Sequence, residues 1–204
     1  ISENGFREER NWKDLNINVS KLINFFKKKK IKKKDRIASY TINSIETVES
    51  FIATCSMGAI WSSCSPDFGI NGVIERFSQI KPKVLIVTDK YFYNGKEINI
   101  LSRIPEILKK IPSIKYLIIT NYPGQKYLNR NYNFKKVKKY LFKDIKKIKK
   151  KTKIIFNKFD FEHELAILYS SGTTGKPKCI CHRNGGVLLQ HLKEHQLHCD
   201  IKEN

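Results

Sequence analysis

Several things are scarce in this chain, and each scarcity closes off a class of protein. Methionine occurs once and tryptophan twice in 204 residues. No apolar run approaches the roughly 20 residues that cross a bilayer, and the polar start carries no secretion signal. The five cysteines, Cys55, Cys64, Cys179, Cys181 and Cys199, are odd in number and irregular in spacing, so they set up no disulfide framework and read as reduced thiols of the cytosol. Cys179, Cys181 and His182, with His191, His195, His198 and Cys199 downstream, lack the two-to-four-residue ligand spacing of structural zinc and read as packing or surface residues. No internal repeat is visible.

Acidic residues are also few: Asp and Glu number 19 against 40 Lys and Arg, a formal charge of +21. A surplus of this size draws anionic ligands, ATP and CoA included, toward the surface. Lysine far outnumbers arginine, however, and arginine is the usual carrier of base-specific contacts, so no specific nucleic acid is expected. The surplus concentrates in Lys27–Lys34 and in 135–153, where aromatics interleave sparsely; both stretches read as solvated faces. A content of 40% hydrophobic and 11% aromatic residues supports a globular core. Opening on Ile1 and closing on a polar tail, the chain reads as a fragment.

Strand and helix signals alternate. Trp12, Leu15, Val19, Leu22, Ile23 and Phe26 predict an amphipathic helix, and Arg36–Thr41 a strand. Asn43 or Ser44 is placed to cap a second helix, which would carry Val48, Phe51, Ile52 and Cys55 inward. A short buried strand is expected at Ala59–Trp61, and a helix over Gly72–Ile80 that stops before Pro82. Val84–Val87 and Tyr116–Thr120 read as strands covered on both faces, with a helix over Ile98–Ile111 between them. Within 121–158, a variable lysine-rich surface connection, Val137, Leu141, Ile145 and Ile148 fall at helical spacing. Leu165–Tyr169 and Lys178–His182 read as strands, and a helix capped by Asn184 runs from Val187 to His198. The fold class expected is α/β, a mostly parallel sheet flanked by helices.

The strongest chemical signal lies between the last two strands. Ser170, Ser171, Gly172, Thr173, Thr174, Gly175, Lys176, Pro177 and Lys178 concentrate hydroxyl donors, two glycines and two lysines in one turn. Glycines free the backbone so that consecutive N–H groups can converge on an anion, while hydroxyls and lysines add donors and charge. The spacing is not that of a Walker A loop, which needs four residues between its glycines and a Ser or Thr after the lysine. A plain Ser/Thr/Gly hairpin turn is the alternative.

The run SSGTTGKPK resembles the phosphate-binding loop of the adenylate-forming superfamily. The blocks at Gly58–Ser63, Ser65–Gly69, Arg76–Ile80, Tyr93–Glu97, Cys179–His182, Gly185–Gly186 and Leu189–His195 are similar to those of its acetoacetyl-CoA synthetases. The resemblance implies part of the large N-terminal AMP-binding domain of a ligase. That ligase would turn acetoacetate, ATP and CoA into acetoacetyl-CoA, AMP and diphosphate through an acyl-adenylate, serving ketone-body and fatty-acid metabolism in the cytosol. It places Ser170 to Gly175 and Lys176 around the β- and γ-phosphates, with Lys178 as the catalytic cation and Mg2+ bridging the phosphates. Asp67, Phe68 and Gly69 would line the CoA entrance. It also implies that the acyl pocket, adenine segment, ribose-binding Asp and mobile C-terminal domain lie beyond Asn204, so this chain alone completes neither half-reaction. Two other readings stay open: a synthetase for acetate or another short acid, and a non-catalytic basic module for anionic membranes or nucleic acid.

Overall fold

Short β-branched runs become the strands of one seven-stranded sheet in the computed structural model, which describes residues 1–128, 134, 136–148, 154, 156–170 and 175–202. In chain order the strands are β1 (Arg36–Tyr40), β2 (Ile60–Cys64), β3 (Val84–Thr88), β4 (Lys90–Tyr93), β5 (Lys96–Asn99), β6 (Tyr116–Thr120), β7 (Lys138–Leu141), β8 (Glu164–Ser170) and β9 (Lys178–Arg183). The sheet order is β7-β6-β3-β1-β2-β8-β9, with β4 and β5 forming a separate hairpin. Every neighbour in the large sheet is parallel except the β8–β9 pair, so the expected mostly parallel α/β architecture is what the chain adopts.

A parallel sheet must be covered on both faces. Alternation along each strand splits the core accordingly. Ala38, Tyr40, Leu85, Val87, Leu117 and Ile119 face one cluster, which takes in Val73, Phe77, Ile104 and Ile107. Those four come from α3 (Ile70–Ile80) and α4 (Ile104–Lys110). Ile37, Trp61, Val84, Ile86, Ile118 and Ala166 face the other cluster. It is closed by α1 (Trp12–Lys28), α2 (Ile45–Ser56) and α5 (Phe142–Lys146). From β1 the chain passes through α2 to β2 on one side, then through α3 back across β1 to β3. The direction and the covering face reverse together, as a constant crossover hand requires.

Four expectations give way to tertiary contacts. The helix expected over 98–111 is split, because Asn94 (φ 48°) and Gly95 (φ 71°) make the tight turn that pairs β4 with β5. Only 104–110 is then α-helical, with Pro105 in its first turn. The helical spacing at 137–148 is coincidental. The open edge of β6 recruits Lys138–Leu141 as β7, in register with Tyr116–Ile119, and only Phe142–Lys146 is helical. Segment 121–158 therefore adds a strand to the sheet as well as connecting its parts. α6 starts at Asn184, with Arg183 and not Asn184 at the cap, and after Lys193 loosens into a π turn over Glu194–His198.

The inward face of α2 is the fourth. Ile52 and Cys55 pack against the core as expected, but Val48 and Phe51 are 51% and 36% exposed, while Glu49, Ser50, Ala53 and Thr54 are fully buried. Small residues let α2 approach α1 closely, and its hydroxyls satisfy themselves on the preceding turn. Ser50 Oγ donates to Glu46 O at 2.7 Å, Thr54 Oγ1 to Ser50 O at 2.7 Å, and Ser56 Oγ to Ile52 O at 2.6 Å. The Glu49 carboxylate accepts from Asn18 Nδ2 at 2.8 Å and lies 3.3 Å from Arg10 Nε and 3.8 Å from Lys146 Nζ. Burial pushes its pKa up despite the opposing Lys146 charge.

Two expectations for stability follow from this packing. Phe77→Ala, which empties a fully buried site, should cost about 3–5 kcal/mol in denaturant unfolding. Because Glu49 has a raised folded-state pKa, the folded chain holds its proton more tightly, so the Glu49 contribution to stability is fully present at acid pH and is lost as pH rises through the raised value. Glu49→Gln should flatten that decline in unfolding curves measured between acid and neutral pH.

Candidate functional site

In open parallel sheets, ligand crevices form outside the carboxyl ends of the strands where connections leave for opposite faces. Here the strand order reverses at β1, with β2 on one side of it and β3 on the other. The turn after β1 enters α2 on one face, and the turn after β2 enters α3 on the other. A cavity of about 510 Å³ opens between them, walled by Thr41 and Asn43 after β1, Ser63, Ser65 and Asp67 at the end of β2, and Tyr93 from the β4–β5 hairpin. The blocks singled out at 61–69 and 93–97 thus meet across one crevice, although the sequence separates them by a strand and a helix.

Asp67, Phe68 and Gly69 form the short connection from β2 to α3. Phe68 N–H closes it on Ser65 O at 3.2 Å, and Ser65 Oγ donates to Asp67 Oδ2 at 3.0 Å. Gly69 is the residue preceding the first turn of α3 and caps it without a side chain. The Phe68 ring lies under the Arg76 guanidinium, 4.1 Å from centroid to Cζ. Trp61 is buried against Phe51 edge-on, 5.8 Å between centroids, which makes it core and not a ligand platform.

On the other side of β2, strand β8 ends at Ser170 and β9 begins at Lys178, directly opposite each other in register. The hydroxyl-rich segment therefore joins two antiparallel strands. Any anion there must be held by backbone N–H groups, hydroxyls and lysines. Ser171, Gly172, Thr173 and Thr174 lie outside the described residues. Gly175 sits at φ +114°, with nothing within 4 Å of where a Cβ would stand, a conformation L side chains rarely adopt. Lys176 and Lys178 are exposed.

Helix α3 ties the hairpin to the crevice. Gln79 Nε2 donates to Pro177 O at 2.9 Å, and Cys179 Sγ donates to Gln79 Oε1 at 3.6 Å. Tyr169 Oη donates to Arg76 O at 3.3 Å, while Ser62 Oγ donates to Ile167 O at 2.8 Å and contacts Tyr169 Oη at 3.1 Å. Burial pushes the Tyr169 phenol well above its ordinary pKa. On the opposite flank the buried Asp89 accepts from Tyr122 N at 2.9 Å and Leu128 N at 3.0 Å, fastening the ends of β3 and β6 together. Sequence reasoning missed Gln79, Tyr169 and Asp89 as organisers. Single polar residues beside apolar runs carry no distinguishing pattern.

His191 on exposed α6 and His195 in the π turn that follows lie with rings 6.0 Å apart. Among the described residues no group of three or more His, Cys, Asp or Glu is placed to hold a metal ion. The donor set at the hairpin, hydroxyls and lysines, suits a divalent cation only as one carried in by phosphate oxygens. No helix among the described residues is long and apolar enough to cross a membrane.

This combination, a switch-point crevice beside a hydroxyl-rich hairpin on a parallel sheet, defines a class. Residues 4–201 match the family described as AMP-binding enzyme, and the chain belongs to that family. Within it the chain is similar to acetoacetyl-CoA synthetases. It is 42% identical to the Gallus gallus protein over 174 residues, covering 83% of this chain and 26% of that one. The Rhizobium meliloti (strain 1021) protein is 41% identical over 192 residues, covering 94% and 29%. The solved acetoacetyl-CoA synthetase from Streptomyces lividans superposes on the whole chain with a TM-score of 0.88 at 30% identity, over 30% of its own length. The chain spans less than a third of these relatives.

Gln79→Leu should release the Pro177 carbonyl. The expected result is faster amide exchange over 176–180 with little change in melting temperature, since a single such bond contributes about 0.5–1.5 kcal/mol.

Proposed function

We propose that the intact protein to which this chain belongs is an AMP-forming acid–thiol ligase joining acetoacetate to CoA at the cost of ATP. The observation that supports this most is the placement of the hydroxyl-and-lysine hairpin and the switch-point crevice side by side on one carboxyl edge, in a chain similar to acetoacetyl-CoA synthetases. Acetate and other short acids are the competing substrates.

In this reading residues 1–204 form part of the N-terminal AMP-binding domain. Ser170 to Gly175, with Lys176, wrap the β- and γ-phosphates of ATP. Attack of the carboxylate on the α-phosphorus expels diphosphate, and negative charge builds on the bridging and terminal oxygens. N–H groups, hydroxyls and the Lys178 ammonium held ready there lower the barrier, as fixed donors do for an oxyanion. Magnesium would arrive with the triphosphate and neutralise part of its charge. Asp67, Phe68 and Gly69 border the crevice from which the CoA thiol approaches the activated carbonyl, releasing AMP. Acetoacetate activation would belong to ketone-body and lipid metabolism, in the cytosol.

The test is acetoacetate-dependent exchange of diphosphate into ATP by the full-length protein, with acetate as the comparison acid. Preference for acetoacetate is expected; preference for acetate would reassign the substrate, and no exchange with either would defeat the reading. Lys178→Ala should slow exchange by about 100-fold, and an unchanged rate would remove Lys178 from the mechanism.

A further inference from the structure

The connection over 65–69, which forms one wall of the crevice, is held from behind by a residue that belongs to neither the crevice nor the hairpin. Arg103, in the 3-10 turn before α4, reaches across the edge of the sheet. Its Nη1 donates to Tyr40 Oη at 2.6 Å and lies 3.2 Å from both Pro66 O and Phe68 O. Tyr40, the last residue of β1, is fully buried, and its hydroxyl donates to the same Phe68 carbonyl at 2.6 Å, with Pro66 O at 3.1 Å. The carbonyls on either side of Asp67 are thus gripped together by a phenol and a guanidinium from two other segments.

Two features make this more than ordinary packing. A neutral donor would satisfy two carbonyls, yet the fold places a guanidinium there, and among the described residues no carboxylate forms an ion pair with it. One charged nitrogen, Nη1, meets the Tyr40 hydroxyl and both carbonyls at once, a charge-assisted contact stronger than a neutral donor makes. The grip also falls where geometry matters: Ser65, Pro66 and Asp67 face Tyr91, Phe92 and Tyr93 across the cavity. We propose that Arg103, acting through Tyr40, is a positioning residue that sets the width of the crevice by holding the 65–69 connection. This rests on the reading above that the crevice admits the thiol substrate, which the acid-activation half-reaction does not require.

The experiment uses the full-length protein and Arg103→Met. Amide exchange over 66–70 should quicken about tenfold, as expected for the loss of charge-assisted bonds to that segment. In turnover, KM for CoA should rise about tenfold, while acetoacetate-dependent exchange of diphosphate into ATP, which needs no CoA, stays within twofold of wild type. Arg103→Lys should recover only part of the CoA affinity. Should Arg103→Met fold poorly, Tyr40→Phe keeps the buried ring, removes the hydroxyl, and should shift the same two readouts in the same direction. Unchanged amide exchange over 66–70 overturns the grip itself. A parallel fall of both half-reactions overturns the positioning role in favour of a general structural one. Amide exchange needs no turnover, so it decides the grip even if the wild-type protein shows no diphosphate exchange, the result that would defeat only the function proposed above.

Discussion

A parallel sheet cannot leave either face wet, because its strands read as continuous apolar runs and both faces must be buried. Most features of this chain descend from that requirement. Val84 and Ile86 serve one core while Leu85 and Val87 serve the other, so a five-residue strand is buried end to end. Helices must then lie on both faces, and the connections that remain free of the core are confined to the two ends of the strands. Chemistry can only be built at those ends, and the reversal of direction between β2 and β3 opens a crevice at one of them.

The two ends differ in character. At the carboxyl end, Tyr40 and Arg103 hold the turn beside the crevice, Asp89 fastens the ends of β3 and β6, and Tyr169 bonds Ser62 and the backbone of α3. Their burial has an electrostatic signature, since desolvation raises the pKa of Asp89, Tyr40 and Tyr169 against the favourable bonds each makes. Such groups persist because each is matched by a donor or acceptor from another segment. The Cys64 thiol, at the end of β2, is pushed up to about 12 by burial and is correspondingly inert.

At the amino end lysines dominate. Lys27 and Lys28 close α1, and Lys109 and Lys110 close α4, where cations answer the negative end of the helix dipole. Lys83 pairs with Asp35 at 2.6 Å and also donates to Lys30 O at 2.8 Å. Lys29 covers the Tyr140 ring, and Lys33 the Phe159 ring. Part of the positive charge is therefore matched to helix ends, carbonyls and aromatic faces.

What the sequence determined by itself is the part governed by local patterns. The apolar runs at 84–88 and 116–120, the heptad-like spacing of α1, the Ser44 cap and the hydroxyl-rich turn at 170–178 each contain their own signal within a few residues. The tertiary structure decided everything that depends on a partner far away in the chain. The edge of β6 turned 138–141 into a strand against its helical spacing. The close approach of α1 buried Glu49 and left Val48 and Phe51 exposed, while Ile52 and Cys55 still pack inward, so the inward face of α2 is only partly the one expected. The reach of Arg103 to Pro66 and Phe68 joined segments some 35 residues apart. Periodicity reports which side of an element is apolar; only the assembled sheet determines which neighbour that side meets, and which polar groups must find each other once water is gone.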